Sequence, residues 1–429
     1  MKNNINTQPM PGFMELLPNQ QLAFNKMLKK IREVYNLYGF RPIETPLLER
    51  AEVLLTKGSG ETDKQIYRFK KGDKDIALRF DLTIPLARYV SQYQNDLIFP
   101  FKIGNIGKVY RGEKPQAGRF REFYQCDADV IGREKLDISY DAEVVSLIYA
   151  LLNNLGFKKF TIRINNRKIL NGYFQSLGIE NIGDVLRVLD KLSKIGKENV
   201  IEELKKLNLQ DEQIEKIFKF VNMSENIFTK LKELNIDNET YNKGIEELEY
   251  VINRNKDLEN NIKIDLTLSR GLDYYTGTVF ETYLNDYPDF GSVCGGGRYD
   301  NLTSYYTDNK FPGVGCSIGL TRLFDCLLKN NLIDINKQTA TKVLVIGMEG
   351  FDSYGIDLSK ELRERDINTE TVSGLKNGFK YADRLNIPYV IVVGEEEVKK
   401  KKYTLKNMVS GKQKSIRKDR LLKNLQRRS

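Results

Sequence analysis

Histidine and tryptophan are both absent from the 429 residues. Without an imidazole the chain can build neither a histidine-containing catalytic triad nor a histidine metal ligand. Acid–base chemistry is left to carboxylates, to the substrate, or to nothing. Cysteine is scarce: Cys126, Cys294, Cys316 and Cys326 are all there is, and none stands in a C-x-x-C spacing. That speaks against a disulfide framework and a zinc site, so no metal is expected on His or Cys, and it points to a reduced compartment. No apolar run is long enough to span a bilayer, and the N-terminus lacks the apolar core of a signal peptide. A cytoplasmic protein with no membrane partner is expected.

What the chain does have is length and positive charge. Its 429 residues can bury large cores in two or three domains. Lys and Arg number 68 against 58 acidic residues, a net charge of +10. Residues 341–429 hold 20 of the basic and 12 of the acidic residues, so most of the excess sits there. The charge permits a polyanionic partner for that segment, and a solvated charge run would look the same.

The stretch Lys108 to Gly132, KVYRGEKPQAGRFREFYQCDADVIG, has the densest chemistry. Its ends alternate as strands, and Pro115 and Gly118 mark a hairpin loop. Arg111, Glu113, Arg119 and Arg121 crowd the strand end and loop. Gln125, Asp127 and Asp129 share one face of the return strand by period-two spacing. Guanidiniums at one end and carboxylates with an amide at the other could hold a polyanion and a small cation. A merely charged, exposed hairpin fits the residues as well.

In chain order, residues 1–17 read as a lead-in. A helix starts at Pro18, with Met27, Ile31, Val34 and Tyr38 on one face and Gly39 at its end. Phe40 to Leu48 reads as extended, punctuated by Pro42 and Pro46. Ile76 to Pro85 reads as a strand stopped by its proline, with Asp81 and Thr83 on one face. Ser139 is expected to cap a helix ending at Gly156, and Lys158 to Asn165 to alternate as a strand. Residues 167–260 are dominated by charged amphipathic helices, as in Ile214, Ile217, Phe218 and Val221.

Ile264, Leu266 and Leu268 then alternate toward Arg270, before a strand from Thr278 to Tyr283. Ser292 to Leu302 is glycine-rich, and Gly313 to Leu323 reads as a glycine-rich strand entering a helix with Arg322. After a polar linker an α/β pattern begins. It has strands at Val343 to Gly347, Thr369 to Val372 and Tyr389 to Val393, and a helix with Ile356, Leu358 and Leu362. A final hairpin is expected to carry Lys399 to Lys402, Arg417, Lys418 and Arg420.

Several of these segments are similar to signatures of class II aminoacyl-tRNA synthetases. The helix and strand near residues 18–48 resemble motif 1, the 108–132 hairpin motif 2, and GVGCSIGLTRL motif 3. RGLDYYTGTVFE and SVCGGGRYDNL resemble the two signature peptides of the histidyl-tRNA synthetase family. The order and spacing match that family over essentially the whole chain.

The resemblance implies an α+β fold: an antiparallel class II sheet flanked by helices, a helical insertion at about 167–260, and a separate C-terminal α/β domain. It places the catalytic domain at 1–330 and an anticodon-binding domain at 341–429. It implies activation of L-histidine with ATP and Mg²⁺, transfer to tRNA-His, and a homodimer. Arg111 and Arg270 would face the α-phosphate, Glu113 the adenine, and Arg119 and Arg322 the outer phosphates. Asp81, Thr83 and Gln125 would hold the α-ammonium and Asp129 and Tyr275 the imidazole, with Tyr274, Arg111 and Arg270 also binding the histidine. The alternative within the family is a catalytically silent paralogue serving as regulatory subunit of a histidine-biosynthesis phosphoribosyltransferase. With no imidazole in the chain, an inflection of rate between about pH 5.5 and 7 is expected to belong chiefly to the substrate ring.

Overall fold

The structure is a computed structural model that describes residues 5–55, 64–114, 118–269 and 275–426. The chain forms two compact units, one of Met1–Met14 with Leu28–Asn330, the other of Glu15–Met27 with Asn331–Ser429.

Among the described residues the first unit is built on an eight-stranded sheet in the order β1-β5-β6-β11-β10-β9-β7-β8. These strands are β1 Arg41–Ile43, β5 Phe101–Tyr110, β6 Glu122–Ile131, β7 Phe160–Asn166, β8 Ile262–Ile264, β9 Thr278–Leu284, β10 Ser292–Tyr299 and β11 Gly313–Gly319. Every pairing is antiparallel except β1 with β5 and β7 with β8 at the two edges. A small second sheet joins β2 Leu48–Arg50, β4 Lys74–Leu78 and β3 Arg68–Lys71. The 108–132 hairpin expected from sequence is the β5–β6 pair, in register from Phe101 opposite Ile131 to Tyr110 opposite Glu122.

The sheet's back is covered by the helix Ser139–Leu155, whose Val144, Leu147, Ile148 and Leu152 are fully buried. Burying such side chains stabilises by about 1.5–3 kcal/mol each. The helix ends where Gly156 turns left-handed at φ 104°, a conformation that favours glycine. Ser139 is its first residue rather than its cap. The Asp137 carboxylate accepts the Ser139 N–H at 2.8 Å. Arg298 of β10 fastens the helix to the sheet, its Nε lying 3.1 Å from both oxygens of the buried Asp141.

Two other local expectations change. Tyr35 supplies the buried ring of the helix Pro18–Leu37, and Tyr38 lies half-exposed beyond its end. The alternation at Ile264 to Leu268 stops with β8, because Asp265 Oδ1 accepts the Thr267 N–H at 3.0 Å and turns the chain. Between β7 and β8 runs the helical stretch, from Arg167–Ser176 to Glu239–Arg254, with Ile214, Ile217, Phe218 and Val221 all buried.

The second unit holds a sheet in the order β13-β12-β14-β15-β16. Its strands are β12 Val343–Gly347, β13 Thr369–Ser373, β14 Tyr389–Val393, β15 Lys402–Asn407 and β16 Gln413–Arg417. In the helix Asp352–Arg363, Leu358 and Leu362 face the core while Ile356 is exposed. Lys399 and Lys400 belong to a short helix, Glu395–Lys400, held by i,i+4 pairs with Glu395 and Glu396. Lys418 and Arg420 lie on the helix Lys418–Gln426 and not on the β15–β16 hairpin.

Candidate functional site

The front of the eight-stranded sheet carries a cavity of about 510 Å³. Its floor follows from register. Gln125, Asp127 and Asp129 of β6 lie opposite Gly319, Ser317 and Gly315 of β11. Polar side chains on one strand therefore face glycines and a serine on the next, which leaves room for a ligand above them. The glycines are required by close approach. A Cβ on Gly315 would lie 2.1 Å from Asp129 Oδ1, and one on Gly297 of β10 would lie 2.9 Å from the Tyr275 ring. The glycine-rich stretch thus lets neighbouring side chains sit on the sheet.

Nine of the residues singled out from sequence line this cavity. Asp81 and Thr83 enter from one side, and Arg111, Glu113 and Arg119 from the hairpin end. Gln125 and Asp129 form the floor, Tyr275 packs over Gly297 of β10, and Arg322 lies beside Gly118 at the hairpin end. Arg270 and Tyr274 lie outside the described residues.

One expectation about these residues is corrected. Asp81 and Thr83 are not on a strand, because β4 ends at Leu78 and Thr83 opens the helix Thr83–Gln92. Asp81 Oδ1 accepts the Ile84 N–H at 3.0 Å, satisfying one of the first-turn donors. Pro85 lacks only an N–H that the first turn leaves unused.

The electrostatics divide the cavity. At the hairpin end Arg111 is held between two rings, its Cζ 4.4 Å from the Phe80 centroid and 5.1 Å from that of Phe123. Arg119 and Glu113 form a loose pair at 3.8 Å. Arg322 donates from Nη2 to the Phe290 carbonyl at 2.7 Å, while its buried Nε has no partner among the described residues.

At the floor three buried carboxylates face the same space. Burial pushes Asp81 up, against the Ile84 N–H and the charge of Arg111. Burial, then the neighbouring Asp129, drives Asp127 well above the carboxylate range. Burial also pushes Asp129 up to about 7, opposed by a hydrogen bond from Tyr299. Such a floor suits a cationic ligand.

Sequence reasoning missed two contributors and gave a third no role of its own. Tyr299 donates to Asp129 Oδ1 at 2.8 Å. Ser317 accepts from Gln125 Nε2 at 3.0 Å and donates to Asp127. Asp127 was seen on the floor's face without a role. Tyr299 and Ser317 each stand two residues from a glycine that lines the cavity, a spacing that puts them on its face.

The model of the histidyl-tRNA synthetase family matches residues 12–323, and that of the anticodon binding domain residues 342–428. The chain belongs to the histidyl-tRNA synthetase family. It is 51% identical over 425 residues to the histidine–tRNA ligase of Clostridium tetani, covering 97% of both chains. The histidine–tRNA ligase of Finegoldia magna is 46% identical over 430 residues, covering 98% of this chain and 100% of the relative. The solved histidyl-tRNA synthetase from Nostoc sp. PCC 7120 superposes with a TM-score of 0.86 at 39% identity. That match covers 99% of this chain and 100% of the other. The family accounts for both the antiparallel sheet and the separate C-terminal domain.

Proposed function

We infer that the chain is a histidine–tRNA ligase, which activates L-histidine with ATP and transfers the histidyl group to the 3′ end of tRNA-His. The observation that carries this reading is convergence. Motif residues from stretches as far apart as Asp81, Arg111, Tyr275 and Arg322 line one cavity, cationic at one end and acidic at the other.

In the first step a carboxylate oxygen of histidine attacks the α-phosphorus of ATP and pyrophosphate leaves. In the second, the 3′-hydroxyl of the terminal adenosine attacks the acyl carbon and AMP leaves. The first step needs in-line positioning and charge neutralisation more than proton transfer, so a chain without histidine loses nothing there. Arg111, fixed between Phe80 and Phe123, would meet the α-phosphate from one side, and Arg270 from the other. Glu113 would take the adenine amino group. Arg119 and Arg322 would hold the outer phosphates; the loose Glu113–Arg119 pair is exposed enough to part for them.

Mg²⁺ would enter with ATP and neutralise phosphate charge. Among the described residues no three acidic, cysteine or histidine side chains are grouped to hold a metal. The cavity carboxylate Glu281 suits the one or two protein oxygens that Mg²⁺ takes beside substrate phosphates.

Asp81, Thr83 and Gln125 would hold the α-ammonium. Asp129 would accept from an imidazole N–H while the Tyr275 phenol meets the other nitrogen, with Tyr274 alongside. A buried polar pair of this kind discriminates strongly against ligands that leave it unpaired. The catalytic domain would span 1–330, interrupted at about 167–260, and residues 341–429 would bind the anticodon arm. A cytoplasmic homodimer, joined through the helix and strand of motif 1, completes the reading. No helix among the described residues is long and apolar enough to cross a membrane. Charging of tRNA-His with labelled L-histidine by the intact chain tests the whole proposal. Charging that needs ATP and histidine supports it, and no charging refutes it.

A further inference from the structure

We propose that Asp127 and Ser317 act as positioning residues, fixing the orientation of the Gln125 amide so that its oxygen, and not its nitrogen, faces the α-ammonium of the substrate. The inference rests on the reading of the cavity as a histidine site.

The geometry is a three-residue relay across two strands. Gln125 and Asp127 are two residues apart on β6, and Ser317 of β11 lies opposite Asp127. A serine hydroxyl has one proton to give. Ser317 gives it to Asp127 Oδ1. Its oxygen then offers only lone pairs to Gln125, so the amide must turn its NH₂ toward Ser317, as the 3.0 Å contact from Nε2 shows. That leaves Oε1 at the other end of the amide. It is buried and has no partner among the described residues. A buried acceptor left unpaired is destabilising, and a ligand N–H at that point would remove the cost.

The direction of the relay holds in the occupied site, where Asp127 is ionised; in the empty site burial and Asp129 raise its pKa, and a protonated carboxyl could donate to Ser317 and reverse it. Facing Asp127 are Ser317 on β11 and Asn105 on β5, its register partner, whose buried amide also has no partner among the described residues. Asp129 and Gln125 flank it on β6. The charges of Asp81 and Arg111 act on it from outside the strand, the first against ionisation and the second for it. An ammonium entering this space favours the ionised carboxylate, so ligand binding and the relay's orientation support each other.

The chemistry makes an unusual demand. Asp127→Asn keeps size and shape but adds an NH₂ that donates to Ser317. The Ser317 proton then turns to Gln125, the amide reverses, and an N–H faces the ammonium. A carboxylate at position 125 has two equal oxygens and nothing to orient. The relay therefore predicts that the effect of Asp127→Asn depends on what stands at 125.

The test is histidine-dependent ATP–pyrophosphate exchange by the full chain, with KM measured separately for histidine and ATP. Asp127→Asn is expected to raise KM for histidine about tenfold or more and to leave KM for ATP within about threefold. In the Gln125→Glu background the same change is expected to leave KM for histidine within about threefold. Ser317→Ala, which removes the hydroxyl alone, should also raise KM for histidine, and less so in the Gln125→Glu background. An equal rise in both backgrounds would mean that Asp127 meets the ligand directly, and would overturn the relay. So would normal wild-type exchange with a KM that Asp127→Asn does not move. No exchange with histidine by the wild type would instead overturn the functional reading, and the relay with it.

Discussion

The Tyr299 hydroxyl donates to Oδ1 of Asp129 at 2.8 Å, inside the cavity and across the intervening strand β11. Both side chains are buried, Tyr299 at 2% and Asp129 at 5% exposure. The bond fixes one carboxylate oxygen and leaves the other for a ligand. Tyr299→Phe leaves a buried acceptor short of a donor, which costs about 1–3 kcal/mol. We predict a fall of that size in kcat/KM for histidine with KM for ATP little changed. Steady-state exchange kinetics check it, and an unchanged kcat/KM would remove Tyr299 from the site.

Asp129 also gives the protein a pH dependence that its sequence does not announce. Burial raises this carboxyl from 3.8 to about 7. Between those values the folded protein holds a proton that the unfolded chain has released. The stability contributed by this group is therefore present at low pH and lost as pH rises through about 7. Asp129→Asn, which cannot ionise, should melt higher than the wild type above pH 7. That advantage should shrink to nothing near pH 4. Thermal melting from pH 4 to 8 measures it, and a constant difference would contradict it. The same shift adds a carboxyl of the protein to the substrate ring as a group titrating near neutrality. A histidine analogue of altered ring pKa should move only part of any inflection in rate.

Arg298 is predicted to matter for stability more than for chemistry. Its Nε meets Asp141, and its two terminal nitrogens reach the Leu136 and Asp137 carbonyls at 3.1 Å. Arg298→Ala would leave Asp141 buried and unpaired, at a cost of about 3–5 kcal/mol. Denaturant unfolding of the intact chain should show this, and a loss below about 1 kcal/mol would mean that water replaces the arginine.

For Arg270 the expectation comes from the signature peptide. Arg270→Ala should cost about 3 kcal/mol or more of transition-state stabilisation, the loss of one preorganised donor. Histidine binding, read by titration, should change far less. Normal exchange by this variant would end the assignment.

The parts of the fold that could be read in advance are those fixed by local pattern. The β5–β6 hairpin announces itself by alternation and by Pro115 and Gly118, and the helix Ser139–Leu155 by its apolar stripe and Gly156. Pro85 misled because a proline ends a strand but is also tolerated in a helix's first turn. Only the bond from Ile84 to Asp81 shows which applies. Ile356 and Leu358 are equally apolar, and tertiary packing alone decides that one is exposed. At the site, type and motif were enough for Arg111, Gln125 and Asp129. Period-two spacing from the lining glycines puts Tyr299 and Ser317 on the cavity face, but their partners depend on register between strands distant in sequence, which no local pattern encodes.

The central claim is that this cavity activates histidine and no other amino acid. ATP–pyrophosphate exchange with each amino acid in turn tests it most directly. The account predicts exchange with L-histidine alone. Exchange driven by another amino acid, or none with histidine, would contradict it.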